Sequence, residues 1–379
     1  MLNILHIVSD DKFIDLLLPR YFFDGCENEI VYLKDEFTYK GKYLDITKWV
    51  MPFTKRFEDV FSEPSKFNII IVYSLNNSKA LFINSIQKKP VIIWHFFGTE
   101  IYNQTALSKY NYSQATKKIV TVNKKTILKE KAKKVQVFFR RIFNSNYTHQ
   151  TEVEKAILAI DYFCWYNKDE YDYLKSHVPT LPEFLQFPVT TKYQELNSSE
   201  RNKINILVGN SSAPQNNHLD TLLLLQKMQY KGEVIVPFGY GDLAYKEKLL
   251  QIIKGLTLNI DVLEDFMAYK DYLDLLGTVT TAVFNSYRQM ALGNIFILLC
   301  YGTKIYLSEK NPTYPWLKKI GFHIYSVEKD LEPGLISRDL KLDEEQMLHN
   351  KALYAKMTDN SLLNDFIQKL PKLVKTRNR

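Results

Sequence analysis

Asp10 and Asp11 follow a short β-type run, Ile4–Val8, near the start of the chain. A carboxylate at the end of a strand can take a proton from a hydroxyl group. Asp is equally a favoured helix N-cap, and two adjacent residues can divide these roles. A second pair, His95 and Glu100, brackets Gly98 after the run Pro90–Phe97. A His inside a strand reads as a core residue, whereas Glu100, beside Tyr102 on a Gly-containing loop, is better placed for chemistry. Gly209-Asn210-Ser211-Ser212 follows the run Lys203–Val208. Backbone N–H groups and hydroxyls there can cradle a phosphate, although the same residues suit a plain strand-to-helix turn. Arg288, Gly293 and Asn294, then Glu309 and Asn311, flank the apolar segment Ala291–Leu307. A Gly near a helix start can take a diphosphate, and an Arg can neutralise a leaving nucleotide. A Glu after the next strand can accept from ribose hydroxyls. The plainer alternatives are a surface salt bridge for Arg288 and a cap for Glu309.

These residues need strands to end where they stand. Continuous apolar runs occur at Ile4–Val8, Asn68–Tyr73, Pro90–Phe97 and Asp161–Tyr166, then at Lys203–Val208, Glu233–Phe238, Asn259–Leu263, Thr280–Phe284 and Lys304–Leu307. Helix-like spacing fills the intervals at Ile14–Phe23, Lys79–Gln87, Asn167–Lys175, His218–Gln229 and Ala244–Ile253. Unbroken apolar strands alternating with helices predict parallel sheets covered on both faces. In such sheets ligands sit beyond the carboxyl ends of the strands. Leu181–Arg201 carries Pro182, Pro188 and the polar stretch Gln194–Arg201, and reads as a connection between two α/β units. The expected division is residues 1–185, a linker at 186–202, a second unit at 203–355, and a closing helix with a basic tail at 356–379. That helix is expected over Leu362–Leu370, with Ser361 as its cap and Pro371 as its stop.

The chain has 379 residues, which suits two domains. Its net charge of +8 favours a polyanionic partner or an anionic membrane surface. Residues 117–141 hold ten Lys/Arg and one acid, Glu130. Apolar residues interleave, so the stretch reads either as a solvated face or as a membrane-attachment segment using Lys124, Lys125, Lys133 and Lys134. No nucleic-acid-binding module is visible, and nucleic acid is not expected as a partner. Cys26, Cys164 and Cys300 lie far apart, which argues against a disulfide scaffold and for a reducing compartment. The start has no signal-peptide pattern, and no run is long enough for a membrane span. There is no GxGxxG and no P-loop, so a Rossmann dehydrogenase and a P-loop NTPase lack their fingerprints. No metal-ligand spacing appears and no Asp-x-Asp follows a strand, so metal chemistry is disfavoured.

Several stretches together resemble one family. They are LHIVSDDKF at the start, VIIWHFFGTEIY at Val91–Tyr102, ILVGNSSAPQNNH at Ile206–His218 and VIVPFGYGDLAY at Val234–Tyr245. FMAYKDYLDLL at Phe266–Leu276 and RQMALGNIFILLCYGTKIYLSEKNPTY at Arg288–Tyr314 continue the series. The chain is similar to the bacterial TDP-N-acetylfucosamine:lipid II N-acetylfucosaminyltransferases, glycosyltransferase family 56. Phe97 and Glu100 stand where that family usually has Trp and Asp. The resemblance implies an α/β GT-B fold, two Rossmann-like doubly wound domains facing each other across a cleft. It implies an inverting, metal-independent glycosyltransferase of bacterial surface polysaccharide synthesis. The sugar would resemble 4-acetamido-4,6-dideoxygalactose, carried on TDP or UDP as substrate, with no cofactor. The acceptor would be an undecaprenyl-diphosphate-linked glycan, and the protein a cytoplasmic one, peripheral on the inner face of the cell membrane.

By the same resemblance, Gly209, Asn210, Ser211, His218, Pro237, Gly239, Tyr240, Phe266, Arg288, Gly293, Asn294, Glu309 and Asn311 would bind the donor. The acid kept at Asp10–Asp11 makes Asp11 the first choice of general base, then Glu100, then His95. Two other readings compete: a non-catalytic membrane-surface assembly protein with the same shell, and a nucleotide-sugar epimerase of GT-B shape.

Overall fold

Ile69–Tyr73 and Val91–His95 are buried at every position, which only a sheet covered on both faces accommodates. In the computed structural model, which describes residues 1–44, 47–50, 64–87, 90–103, 106–120, 151–190, 204–335 and 337–377, two such sheets form. The first contains β1 (Leu2–Val8), β2 (Cys26–Leu33), β3 (Thr47–Val50), β4 (Ile69–Tyr73), β5 (Val91–His95), β6 (Tyr162–Trp165) and β7 (Glu183–Gln186). Their order is β3-β2-β1-β4-β5-β6-β7, with every pairing parallel. The second contains β8 (Asn205–Val208), β9 (Glu233–Pro237), β10 (Asn259–Leu263), β11 (Thr281–Phe284), β12 (Lys304–Leu307) and β13 (Ile324–Ser326). Their order is β10-β9-β8-β11-β12-β13, again parallel throughout. Each sheet starts in the middle and reverses direction beside its first strand. The topological switch points, where open α/β sheets take ligands, therefore lie between β1 and β4 and between β8 and β11.

The chain divides into two units, though not at the expected boundaries. Unit 1 comprises Met1–Glu100, Gln136–Thr191 and Thr358–Arg379, and unit 2 comprises Ile101–Val135 and Lys192–Met357. The helix α4 (Gln114–Ile119) belongs to unit 2 for a physical reason. Ser113 N–H donates to Asn217 Oδ1 at 2.9 Å, the Ser113 hydroxyl donates to Asp220, and Ile119 and Val120 pack on the core around Ile206, Leu222 and Val236. Leu181–Gln186, expected within the connection, instead supplies β7 at the edge of the first sheet.

The closing helix is also longer than expected. It runs over Asn360–Arg377 with Pro371 inside it. A proline in a helix interior costs about 3 kcal/mol. Phe366 and Leu370 are buried in the unit 1 core beside Tyr21, Tyr73 and Phe187, each contributing about 1.5–3 kcal/mol. Leu373 and Val374, beyond the proline, pack against the same core. Apolar contact on both sides of Pro371 thus outweighs the local penalty.

Candidate functional site

The switch point of unit 1 opens a pocket of about 360 Å³ lined by Val8, Ser9, Asp10, Tyr73, Ser74, Phe97 and Thr99. Asp10 is exposed and lines it. Asp11 is the first residue of α1 (Asp11–Leu17), and its carboxylate accepts from the Tyr32 hydroxyl and from Thr38 Oγ1 at 3.1 and 3.0 Å. The two acids are therefore separated: one faces the pocket and the other is tied to the β2 side of the unit.

Glu100 lies in the short helix α3 (Thr99–Tyr102) and is only 4% exposed. Its Oε1 accepts from Leu75 N–H, Trp94 Nε1–H and Phe97 N–H at 3.3, 3.3 and 3.1 Å, and Oε2 has no partner among the described residues. Burial raises its pKa above the usual carboxylate value, opposed by those donors. His95 is fully buried, and neither ring nitrogen is hydrogen-bonded among the described residues. It stacks on Tyr73 at 5.4 Å between centroids and meets Phe187 edge-on at 4.5 Å, and burial lowers its pKa to about 3. It is a neutral ring in an aromatic setting, packed behind the lining residues Tyr73 and Phe97.

In unit 2 the strand-end loops are joined by hydrogen bonds across the sheet. After β8, Gly209 adopts φ 70°, and a Cβ there would stand 2.6 Å from His218 Nε2. Only glycine fits that turn. Asn210 Nδ2 donates to the Tyr240 hydroxyl at 3.0 Å, and Ser212 N–H donates to the Tyr240 carbonyl at 2.8 Å, linking the loops after β8 and β9. Asn216 Nδ2 donates to the Ser211 carbonyl, and Ser211 is buried. Asn217, itself left-handed at φ 51°, starts α7 (His218–Lys227) and donates to the Asn285 carbonyl after β11. Ser286 Oγ accepts from Asn311 Nδ2 at 2.9 Å, which extends the chain to the loop after β12. His218 is fully buried, with Nδ1 3.2 Å from the Tyr245 hydroxyl and its pKa lowered to about 3 by burial.

Arg288, 5% exposed, sits in the loop after β11, and Nη1 donates to the Gln289 carbonyl at 3.0 Å. Its charge lowers the pKa of Tyr112, although burial leaves that phenol raised overall. The helix α10 (Leu292–Cys300) follows, entered through Ala291 at φ 58° with no capping side chain. Gly293 faces open space, and Asn294 Nδ2 donates to the Tyr272 hydroxyl at 2.7 Å. Pro237 ends β9, and Gly239 packs against the Asp265 carbonyl, which brings Tyr240 and Phe266 to neighbouring loops. Both side chains are largely exposed.

Glu309 and Asn311 have local partners. Glu309 pairs with Lys329 at 2.8 Å, which lowers its pKa, and Asn311 Oδ1 accepts from Thr313 N–H. Lys124, Lys125, Lys133 and Lys134 lie outside the described residues. Among the described residues, no group of three or more His, Cys, Asp or Glu comes together as metal ligands do, and no helix is long and apolar enough to cross a membrane.

The sequence candidates did not include Asn217, Glu328 or Lys79. Glu328 accepts from Ser308 Oγ at 2.5 Å and from Glu309 N–H at 2.9 Å, and so fixes the loop after β12. Only the tandem Asn216-Asn217 before His218 carried a visible signal, since Asn tolerates left-handed backbone.

Residues 161–358 match the family described as 4-alpha-L-fucosyltransferase, glycosyl transferase group 56. The matched range contains the whole unit 2 strand-end network and leaves Asp10 outside it. Three solved structures share the fold over nearly the full chain. The Candida albicans trehalose-6-phosphate phosphatase N-terminal domain has a TM-score of 0.60 at 12% identity, covering 98% of this chain and 96% of that one. Anabaena HepE in complex with UDP-glucose has a TM-score of 0.60 at 11% identity, covering 99% and 100%. Sucrose-phosphate synthase from Thermosynechococcus elongatus has a TM-score of 0.58 at 11% identity, covering 100% and 98%.

Proposed function

The chain belongs to glycosyl transferase group 56 and has the α/β GT-B fold, and from that premise we propose that it moves a 4-acetamido-4,6-dideoxygalactose-like sugar from a nucleotide donor to a lipid-linked glycan. The observation that carries this reading is the placement of Gly209 and Arg288 on the two loops that flank the unit 2 switch point. A glycine turn lets a ligand approach the backbone, and a buried guanidinium meets diphosphate charge. The donor is a TDP- or UDP-sugar, bound without a divalent cation because Arg288 and the uncapped start of α10 supply the positive potential.

The reaction is a single displacement. Asp10 takes the proton of the acceptor hydroxyl, whose oxygen bonds to the anomeric carbon. The bond from that carbon to the diphosphate oxygen breaks, and the nucleoside diphosphate leaves with the electron pair. We assign the base to Asp10 rather than to Asp11; what supports this is that Asp10 lines the pocket, whereas the Asp11 carboxylate accepts from Tyr32 and Thr38. Glu100 and His95 are buried, and in this reading neither takes the acceptor proton. The acceptor is an undecaprenyl-diphosphate-linked glycan, reached at the inner membrane surface with the help of Lys124, Lys125, Lys133 and Lys134.

Purified protein incubated with TDP- and UDP-sugars, EDTA and a polyprenyl-diphosphate disaccharide tests this. Transfer with inverted anomeric configuration, read by NMR, is the expected result. Retention, or activity only with added metal, rejects the mechanism.

A further inference from the structure

Lys79 is fully buried, an unusual state for a lysine. It lies in the first turn of α2 (Asn77–Ser85), whose start is fixed by the Asn76 side chain accepting from Lys79 N–H. Its ammonium donates to Ser9 Oγ at 2.8 Å, to the Ser74 carbonyl at 3.1 Å and to the Tyr73 carbonyl. All three acceptors belong to residues that line the unit 1 pocket. Ser74 is held at φ 58°, a left-handed conformation uncommon outside glycine and found where surrounding contacts over-determine the backbone.

An ammonium has three protons and a serine hydroxyl has one. With its three protons committed, Lys79 presents only donors to Ser9. Ser9 Oγ then accepts from below, and its own O–H must donate elsewhere. We infer that Lys79 is a positioning residue of the unit 1 pocket: by donating to Ser9 Oγ it turns the Ser9 O–H outward, as a hydrogen-bond donor to the same acceptor hydroxyl that Asp10 deprotonates. This rests on the reading of unit 1 as the acceptor side. Ser9 transfers no proton. It holds one lone pair of the substrate oxygen while Asp10 takes the proton, which leaves the other lone pair for attack.

The arrangement depends on the charge of Lys79. Burial lowers its pKa to about 7, opposed by the fields of Glu100 on α3 and Asp10 on the loop after β1. The flanking strand ends carry two further titratable groups, Tyr73 and His95. The Tyr73 hydroxyl is bound to His6 Nδ1, and His95 stays neutral down to about pH 3. A neutral Lys79 amine has two donors and a lone pair. That lone pair accepts from Ser9 and turns the hydroxyl inward, so use of the acceptor should fall as pH rises through about 7.

The test is kcat/KM for the lipid-linked acceptor between about pH 6 and pH 9 for wild type, Ser9→Ala, Lys79→Met and the double variant. Wild type should show an alkaline decline with a midpoint near 7. Ser9→Ala should lower acceptor kcat/KM about tenfold and remove that decline, and the double variant should be no worse than Lys79→Met. Metal-free calorimetry should find nucleotide binding within about twofold in all four. If Lys79→Met does not fold, the Ser9→Ala profile decides. An intact alkaline decline in Ser9→Ala, or additive losses in the double variant, overturns the role of Lys79 alone. Weakened nucleotide binding in Ser9→Ala, with the acceptor KM unchanged at saturating donor, overturns the assignment of the acceptor to unit 1.

Discussion

At the unit 1 switch point the groups around the pocket can exchange protons. Asp10 lines it, and Lys79 contacts three of its lining residues. At the unit 2 switch point the loops are tied together by polar groups of Asn210, Ser211, Asn217, Asn285, Ser286 and Asn311, with the positive charge of Arg288 buried among them. The strand orders are the same through the first six positions. Under the proposed function, equal topology would serve two kinds of chemistry. Titratable groups suit a site that moves a proton, and fixed dipoles suit one that holds a polyanion through a reaction without reorganising.

The sharpest way to break this contrast is to remove ionisation from unit 1. Asp10→Asn should lower kcat by on the order of 10²–10⁴ while nucleotide binding by calorimetry stays unchanged. Asp11→Asn should cost less than about tenfold, since it weakens contacts to Tyr32 and Thr38 and leaves the pocket acid in place. The reverse ranking returns the base to Asp11. In unit 2, Arg288→Gln should weaken nucleoside diphosphate binding by on the order of 10–10²-fold, the size of one charge-assisted hydrogen bond. Equal binding by the variant would remove Arg288 from the donor site.

Gly209→Ala probes the rigidity of the unit 2 network. The left-handed backbone and the contact with His218 should together destabilise the protein by about 2–4 kcal/mol in urea titration. A smaller loss would mean that His218 can give way.

The mildest change is His95→Phe. His6, His95 and His218 have folded-state pKa values of about 4, 3 and 3, all below the ordinary 6.5. Below pH 6.5 the unfolded chain therefore binds protons that the folded chain refuses, and the stability present above 6.5 is lost as pH falls toward these values. Because His95 has no hydrogen-bond partner among the described residues, His95→Phe should keep turnover within about threefold, leave stability at pH 7 within about 1 kcal/mol, and flatten the acid limb of a melting-temperature profile. A large loss of turnover would restore His95 to the chemistry.

Sequence alone determined the elements that speak in one run of residues. Strands buried on both faces read as unbroken apolar runs, so β1, β4, β5, β8, β9 and β11 were legible, and with them the loops that carry Asp10, Gly209 and Arg288. β2 was not, because its first half, Cys26-Glu27-Asn28-Glu29, is polar and only Ile30–Leu33 is fully buried. Tertiary structure decided what depends on distant partners. Which of two adjacent aspartates faces the pocket turns on Tyr32 and Thr38 holding the other. The membership of α4 in unit 2 turns on Ser113 meeting Asn217, 104 residues away, and the burial of Lys79 on Ser9, 70 residues away. Side-chain direction and the pairing of buried polar groups are set by contacts between elements, and no local pattern encodes them.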